Sequence, residues 1–451
     1  MINPVRRPRG HMRKLALGLS LLATAWSSGS GCARHDAEPR PTPSSTPKLA
    51  PPSQPQTILT GVSDTEIIVG QPAGFTGPSA GLGVEMWRGA AAAFSVANEQ
   101  GIHGRKIRLV LADDGYDAER AASAVVNLLE RQHAFLLFGG VGTPTIVRAL
   151  PVVRKYHDET GLFYFANFTG AQPQRREPYA VSVFNVRASY YEETRAMVDA
   201  YVASGKNHIG TFVQDDAYGT DGREGTRRAL RDRGLEPVAD ATYPRGQKFE
   251  VSTATQVKLL RNAGVDAIVM VGSYQACGAF IRDARNSGWD VPIHNVSFVG
   301  ADQMLELLKG AEAKGGKRII SRIVNTQVVP YYEDLSIPAV RAYHAAIDKY
   351  APTAPPEASD GSYHVTHKYS FGSLEGYISA RALIMVLERT GRDLNRRTAY
   401  AAAEGMGEFD LGLGVPAKLS PERHQALDRV WFTYATPEGW KPIEKPASIL
   451  K

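Results

Sequence analysis

Gly142-Thr143-Pro144-Thr145 and Phe168-Thr169-Gly170-Ala171 set small hydroxyl residues among glycines just after apolar, β-type runs, and helical patterns follow. A hydroxyl beside the free N–H groups of a helix start is suited to an anion. A carboxylate placed there gains charge-assisted hydrogen bonds and a favourable helix dipole, the latter worth about 0.3–1 kcal/mol. Two later stretches, Gln214-Asp215-Asp216-Ala217-Tyr218-Gly219 and Gly272-Ser273-Tyr274, repeat this placement with aromatic residues. In an open parallel sheet, the carboxyl edge is where ligands sit. Hydroxyls in the first half and aromatics in the second describe a polar clamp facing an apolar lid, and they do not describe a reaction centre. Structural roles compete at each position. Thr143 and Thr145 could cap a helix beginning near Ile146, and Asp113, Asp114 and Asp216 could cap helices or order loops.

The elements that must position these residues alternate between strand and helix, which predicts parallel α/β architecture. Strands are expected at 66–71, 106–112, 135–138 and 162–166, with a loop at 74–83 and helices through 90–98 and from Ala118. A second series begins near Ser182, with strands at 209–213, 267–271, 293–298 and 322–329. Its helices are expected at 222–233, 276–286, 302–308, 339–349 and 374–389, with a strand-like tail segment at 429–434. Two similar α/β sets imply two lobes joined by several chain crossings, and 181–186 and 324–329 are the best crossing segments.

Composition excludes other classes. The chain is 43% hydrophobic and 22% charged, as a globular protein is. Five cations (Arg6, Arg7, Arg9, Arg13 and Lys14) lie in the first 31 residues, so the net charge of +6 falls to about +1 for the rest, and no nucleic-acid role is expected. That basic head and the apolar stretch 15–26 read as an export signal. Cys32, after Gly29-Ser30-Gly31, reads as a lipidation site, so residues 1–32 form a lipoprotein signal peptide. Seven prolines in 33–57 read as a disordered tether. Cys277 is left alone in an apolar helix and reads as core. His103, His208 and His294 have no metal-ligand spacing, so neither metal nor cofactor is expected. Gly77-Pro78-Ser79-Ala80-Gly81 fits a G-x-S-x-G nucleophile elbow with His424 downstream, but its loop is longer than a sharp elbow and no oxyanion segment accompanies it.

Nine motifs then fall in one register. They are Phe75-Thr76-Gly77-Pro78, Gly101-Ile102-His103-Gly104-Arg105, Asp113-Asp114-Gly115-Tyr116, Gly142-Thr143-Pro144-Thr145, Phe168-Thr169-Gly170-Ala171, Asn185-Val186-Arg187-Ala188-Ser189-Tyr190, Asp216-Ala217-Tyr218-Gly219, Gln327-Val328-Val329-Pro330 and Leu374-Glu375-Gly376-Tyr377. From about Thr60 to Ile443 the chain resembles the solute-binding proteins of ABC transporters for branched-chain amino acids, a group of type I periplasmic binding proteins. The resemblance implies two Rossmann-like lobes with parallel sheets, joined by a three-crossing hinge. Lobe 1 would take 58–180 plus 328–408, and lobe 2 would take 181–327 plus 409–445.

Carried over by position, Thr143 and Thr169 would hold a ligand carboxylate and Asn167 would offer backbone groups. Leu82 would form part of the wall, with Tyr218 and Tyr274 closing from the second lobe. Relatives that bind amino acids place a carboxylate for the ligand's ammonium where this chain has Phe298. Either Asp215 or Asp216 substitutes for it, or the ligand lacks an α-ammonium; the second reading is preferred. The implied protein is a monomeric, non-enzymatic, exported lipoprotein in the periplasm or at the cell surface. It would carry a small amino-acid-like or carboxylate ligand to an ABC permease. A receptor-coupled sensor is the alternative, and a serine hydrolase is a more distant one.

Overall fold

The computed structural model describes residues 61–315 and 317–450. The expected signal segment with Cys32 and the Pro-rich stretch 33–57 lie outside the described residues.

The first sheet has five parallel strands, β1 (Glu66–Ala73), β2 (Lys106–Asp113), β3 (Leu136–Phe138), β4 (Tyr164–Phe165) and β5 (Val183–Phe184), in the order β2-β1-β3-β4-β5. Its connecting helices are α1 (Ala80–Gln100), α2 (Ala118–Val126) and α3 (Thr143–Thr160). A parallel strand is covered on both faces, so it reads as an unbroken apolar run; Leu136, Leu137 and Phe138 are all fully buried. This sheet reaches Phe184, past the 180/181 boundary expected between lobes.

The second lobe runs through α4 (Tyr190–Ala203), β6 (Ile209–Gln214), α5 (Ala217–Arg231), β7 (Asp240–Tyr243), α6 (Ala254–Asn262), β8 (Ala267–Val271), α7 (Tyr274–Asn286), β9 (Ile293–Asn295), α8 (Ala301–Gly315) and β10 (Ile323–Gln327). Helices α9 (Pro338–Tyr350) and α10 (Phe371–Thr390) then return to pack on α1, and α11 (Arg396–Glu404) packs on α10. Bare backbones make the α1–α10 contact possible. A Cβ at Gly89 would collide with the Ser373 carbonyl, and one at Gly376 with that of Met86. A short ribbon, β11 (Gly407–Phe409) with β12 (Ala417–Leu419), precedes β13 (Trp431–Ala435) and β14 (Trp440–Pro442). The second sheet has the order β14-β13-β10-β9-β8-β6-β7, with β13 antiparallel to both neighbours and the other pairs parallel.

Three crossings join the lobes, at 184–187, 327–330 and 424–427. The first and third are zipped together: Asn185 N–H donates to the His424 carbonyl at 2.7 Å, and Ala426 and Leu427 N–H donate to the carbonyls of Asn185 and Val186 at 2.8 and 3.0 Å. Several elements escape the sequence reading, among them α4, α11, β12 and β14 as well as β7 and α6. β7 is only four residues beside a proline, and α6 buries only Val257 and Leu260. Cys277 is fully buried in α7, and burial pushes its thiol pKa up.

Candidate functional site

The loop after β1 is ordered by Asp113 at the end of β2. Its carboxylate accepts from the N–H groups of Phe75 (2.8 Å), Thr76 (3.2 Å) and Gly115 (2.9 Å) and from the Thr76 hydroxyl (2.6 Å). Next to it, Asp114 accepts from Tyr116 N–H at 2.8 Å, and Tyr116 sits at a positive φ of 56°. That strained backbone aims the Tyr116 ring at Gly142, which precedes α3. Gly142 has φ 98°, and a Cβ there would strike the ring. Two constraints thus converge on one glycine.

α3 begins at Thr143, three residues earlier than expected, with Gly142 as its N-cap. Thr143 is therefore not a cap. Its Oγ1 lies 2.7 Å from Thr169 Oγ1, and the Thr169 hydroxyl reaches Tyr190 Oη at 3.3 Å. Thr145 does the local work instead, donating to the Val141 and Gly142 carbonyls at 2.6 and 2.9 Å. The first intrahelical bond runs from Ile146 N–H to Gly142 O, which leaves the N–H groups of Thr143 and Thr145 at the helix start without intrahelical acceptors. Ala166, at φ 57°, turns the chain after β4 so that Asn167, Phe168 and Thr169 leave the sheet edge. The Asn167 carbonyl accepts from Thr169 N–H at 2.9 Å. Its side-chain amide is buried and has no partner among the described residues.

Rings face these hydroxyls. Tyr218, in the first turn of α5, packs on Tyr190 at 5.3 Å between centroids and on Phe298 at 5.0 Å, and donates from its hydroxyl to the Gly272 carbonyl at 3.3 Å. Phe298 also meets Phe168 at 5.4 Å and Tyr116 at 6.2 Å, so one ring from lobe 2 contacts two from lobe 1. The strand expected over 293–298 does not reach Phe298, because β9 stops at Asn295 and Ser297–Val299 is a 3-10 turn. Glu193 pulls the backbone off the ladder there, accepting from Ser297 N–H at 2.8 Å and from its hydroxyl at 3.0 Å. Leu82 and Tyr274 meet elsewhere along the same cleft, at Gly300 and Gly81. Burial raises the pKa values of Tyr190 and Tyr218, so their phenols stay protonated.

The acids around this cluster are engaged. Asp216 caps α5 through Tyr218 and Gly219 N–H and accepts from Gln214 Nε2 at 2.7 Å, while Asp215 is exposed. Behind Phe168 lies Arg187, paired with Glu193 at 2.9 Å and Glu375 at 3.2 Å. Burial alone would lower the Arg187 pKa, but its two carboxylates raise it, while burial pushes Glu375 up to about 7 against the pull of Arg187.

The seven expected residues thus fall into two groups and one unpartnered amide. Thr143, Thr169, Tyr218 and Phe298 form one chain of contacts, and Leu82 with Tyr274 forms the other. Tyr116, Phe168 and Tyr190 were missed as site residues, although all three stand in the motifs quoted above. Their signal was an aromatic at a strand's carboxyl end or a helix start. The cleft is closed tightly. A cavity of about 10 Å³ remains between Leu82, Phe168, Ser297 and Glu375, room for about one water. A separate cavity of about 840 Å³ lies against the crossings, lined by Arg175, Asn185, Glu192, Glu404 and His424, and none of the seven residues borders it. Nor does an elbow nucleophile assemble. The His424 ring bonds Ala180 O and Glu404 and stacks on Phe184, and Ser79 is the residue before α1.

Comparison with known proteins agrees with this architecture. Residues 66–439 match the family model described as "Periplasmic binding protein". An amino acid binding protein of Pseudomonas aeruginosa is 24% identical over 58% of this chain and 67% of its own length. The Leu/Ile/Val-binding protein homolog 7 of Brucella melitensis is 26% identical over 75% and 80% respectively. Among solved structures, a possible leucine/isoleucine/valine-binding protein from Rhodopirellula baltica superposes with a TM-score of 0.75 and 32% identity, covering 87% of this chain and 99% of the other. With two α/β lobes, three crossings and a match over most of its length, the chain belongs to the periplasmic binding protein family and has the type I fold.

Proposed function

We propose that the protein captures a small carboxylate-bearing solute by hinge closure and delivers it to an ABC permease, as an exported lipoprotein anchored through Cys32. The observation that carries the reading is the Thr143–Thr169 hydroxyl pair at the start of α3, 2.7 Å apart and set against an aromatic wall. A carboxylate there would take both hydroxyls and the free N–H groups of the helix start. Its body would lie between Leu82 and the rings of Tyr218, Tyr274 and Phe298. With lobes already in ring-to-ring contact, a ligand must enter an open form, and binding would shift the open–closed equilibrium by touching both sides.

Engaged acids favour a ligand without an α-ammonium. Asp216 caps a helix, Glu193 and Glu375 hold Arg187, and Phe298 occupies the place where relatives that bind amino acids are expected to carry a carboxylate. A buried ammonium left unpaired costs several kcal/mol. A thermal-shift screen should compare L-leucine and L-phenylalanine with 4-methylpentanoate and 3-phenylpropanoate. A ligand at 100 times its Kd adds about 2.7 kcal/mol. Stabilisation by the des-amino acids alone is expected, and stabilisation by the amino acids alone would overturn the preference.

A further inference from the structure

Residues 351–370, between α9 and α10, contain neither helix nor strand. Twenty irregular residues within a compact lobe are uncommon, and such segments are usually functional. This one is fastened at both ends by a single buried guanidinium. Arg88 of α1 donates from Nε to Pro352 O at 2.8 Å, from Nη1 to His367 O at 3.3 Å and from Nη2 to Lys368 O at 3.0 Å. Its partner Glu85, also buried and 2.8 Å away, accepts from the Ser370 hydroxyl at 2.6 Å. The ends are thus fixed to lobe 1, and Pro355 and Pro356 stiffen what lies between.

The middle of the segment leans over the cleft. Asp360 accepts from Gly77 N–H at 2.9 Å, in the loop after β1. Tyr363 lies on the first turn of α1, where a Cβ at Gly81 would stand only 3.0 Å from two of its ring carbons. The Tyr363 hydroxyl donates to Glu85 at 2.9 Å and accepts from Nε2 of Gln303 at 3.1 Å. Gln303 belongs to α8 of the second lobe, so this hydroxyl is shared between lobes. Gly81 immediately precedes Leu82 and also meets Tyr274, so the ring covers the second of the two residue groups described above.

We propose that residues 351–370 form a lid across the cleft and that Tyr363 is its latch, joining lobe 2 only when the lobes are closed. The lid is a device of the solute-binding cleft and rests on that reading, but its mechanics do not depend on which solute binds. Opening breaks the Gln303–Tyr363 bond while the Arg88 and Glu85 anchors persist. The strap then moves with lobe 1 and uncovers the cleft, so the latch governs how often the floor meets solvent and how fast a bound molecule leaves.

Hydrogen exchange on the full chain without ligand tests this directly. Tyr363→Phe keeps the ring and removes the hydroxyl, and Gln303→Ala removes the partner from the other lobe. Both variants lose the neutral bond between the lobes, which should raise the open population about two- to tenfold; Tyr363→Phe also loses the bond to Glu85, so Gln303→Ala isolates the latch. Both variants should therefore speed exchange by that factor in residues 351–370 and also in the floor peptides carrying Thr143–Thr145 and Asn167–Thr169. Peptides from β8 should not change, which excludes general unfolding. Faster exchange confined to the strap, or no change in either variant, would overturn the lid. Either result stands apart from the thermal-shift screen, which tests the solute reading alone.

Discussion

The two sides of the cleft are built from different chemistry. The first lobe presents hydroxyls and helix-start N–H groups, with Thr143 and Thr169 bonded to each other. The second presents rings, which meet Tyr116 and Phe168 of the first, and the charge behind this aromatic cluster is consumed in holding the molecule together. Arg187 joins a crossing strand to α4 through Glu193 and to α10 through Glu375, and Glu193 also accepts from Thr326 at 2.6 Å. Burial explains the division. A charge far from water must be paired or neutralised, so Glu193 and Glu375 are committed to the hinge and are not free for a ligand. Neutral hydroxyls carry a smaller desolvation cost and can exchange partners.

The comparison is broken most severely at Arg187. Arg187→Met leaves Glu193 and Glu375 buried without their cation, and should destabilise the protein by about 3–5 kcal/mol in denaturant unfolding. A loss below about 1 kcal/mol would mean that the cluster holds little and that its acids are available. On the other side, Thr143→Val removes one hydroxyl of the clamp. Unfolding should change little, whereas binding of a carboxylate found in the screen should weaken by about 1.5–3 kcal/mol, roughly 10- to 150-fold. Wild-type affinity in that variant would remove the clamp from the mechanism.

Phe298→Glu sharpens the contrast by giving the second wall a carboxylate that nothing engages. Without a ligand the variant should melt lower, because the new charge is buried. L-Leucine should then raise its melting temperature more than 4-methylpentanoate does, a reversal equivalent to at least about tenfold in relative affinity. Persistence of the des-amino preference would show that the ring is not what excludes an ammonium.

Much of this was readable from residue types because parallel sheets leave clear marks. Fully buried strands such as Ala267–Val271 appear as unbroken apolar runs, and short Gly-, Thr- and Asp-containing turns follow them. What could not be read depends on contacts distant in sequence. The turn that takes Phe298 off β9 is imposed by Glu193, about a hundred positions earlier. By spacing alone Thr143 could as well have been a cap, because Thr is a good one, and only the approach of Thr169 shows its hydroxyl turned elsewhere. Residues 351–370 carry no periodicity, so their attachment to Arg88 has no local signature.

A separate, pH-dependent effect concerns Asp302 of α8, which crosses the cleft and has no ion-pair partner among the described residues. It accepts from Phe371 N–H at the start of α10 (3.0 Å) and from the Tyr332 hydroxyl (3.2 Å). Burial pushes its pKa up to about 7 from an ordinary 3.8, and the neighbouring Glu85 and Glu306 add to the rise against these two bonds. The folded protein therefore holds this proton more tightly than the unfolded chain. The resulting stability is complete below about pH 4 and is lost as pH rises through 7. Asp302→Asn keeps an acceptor for Phe371 and cannot ionise. Its melting temperature relative to wild type should climb between pH 5 and pH 8, with Glu375 contributing equally to both proteins. A difference that stays constant across that range would mean that Asp302 does not titrate there. The junction would then bear a full negative charge at neutral pH, and the second side of the cleft would hold an acid that burial had not neutralised.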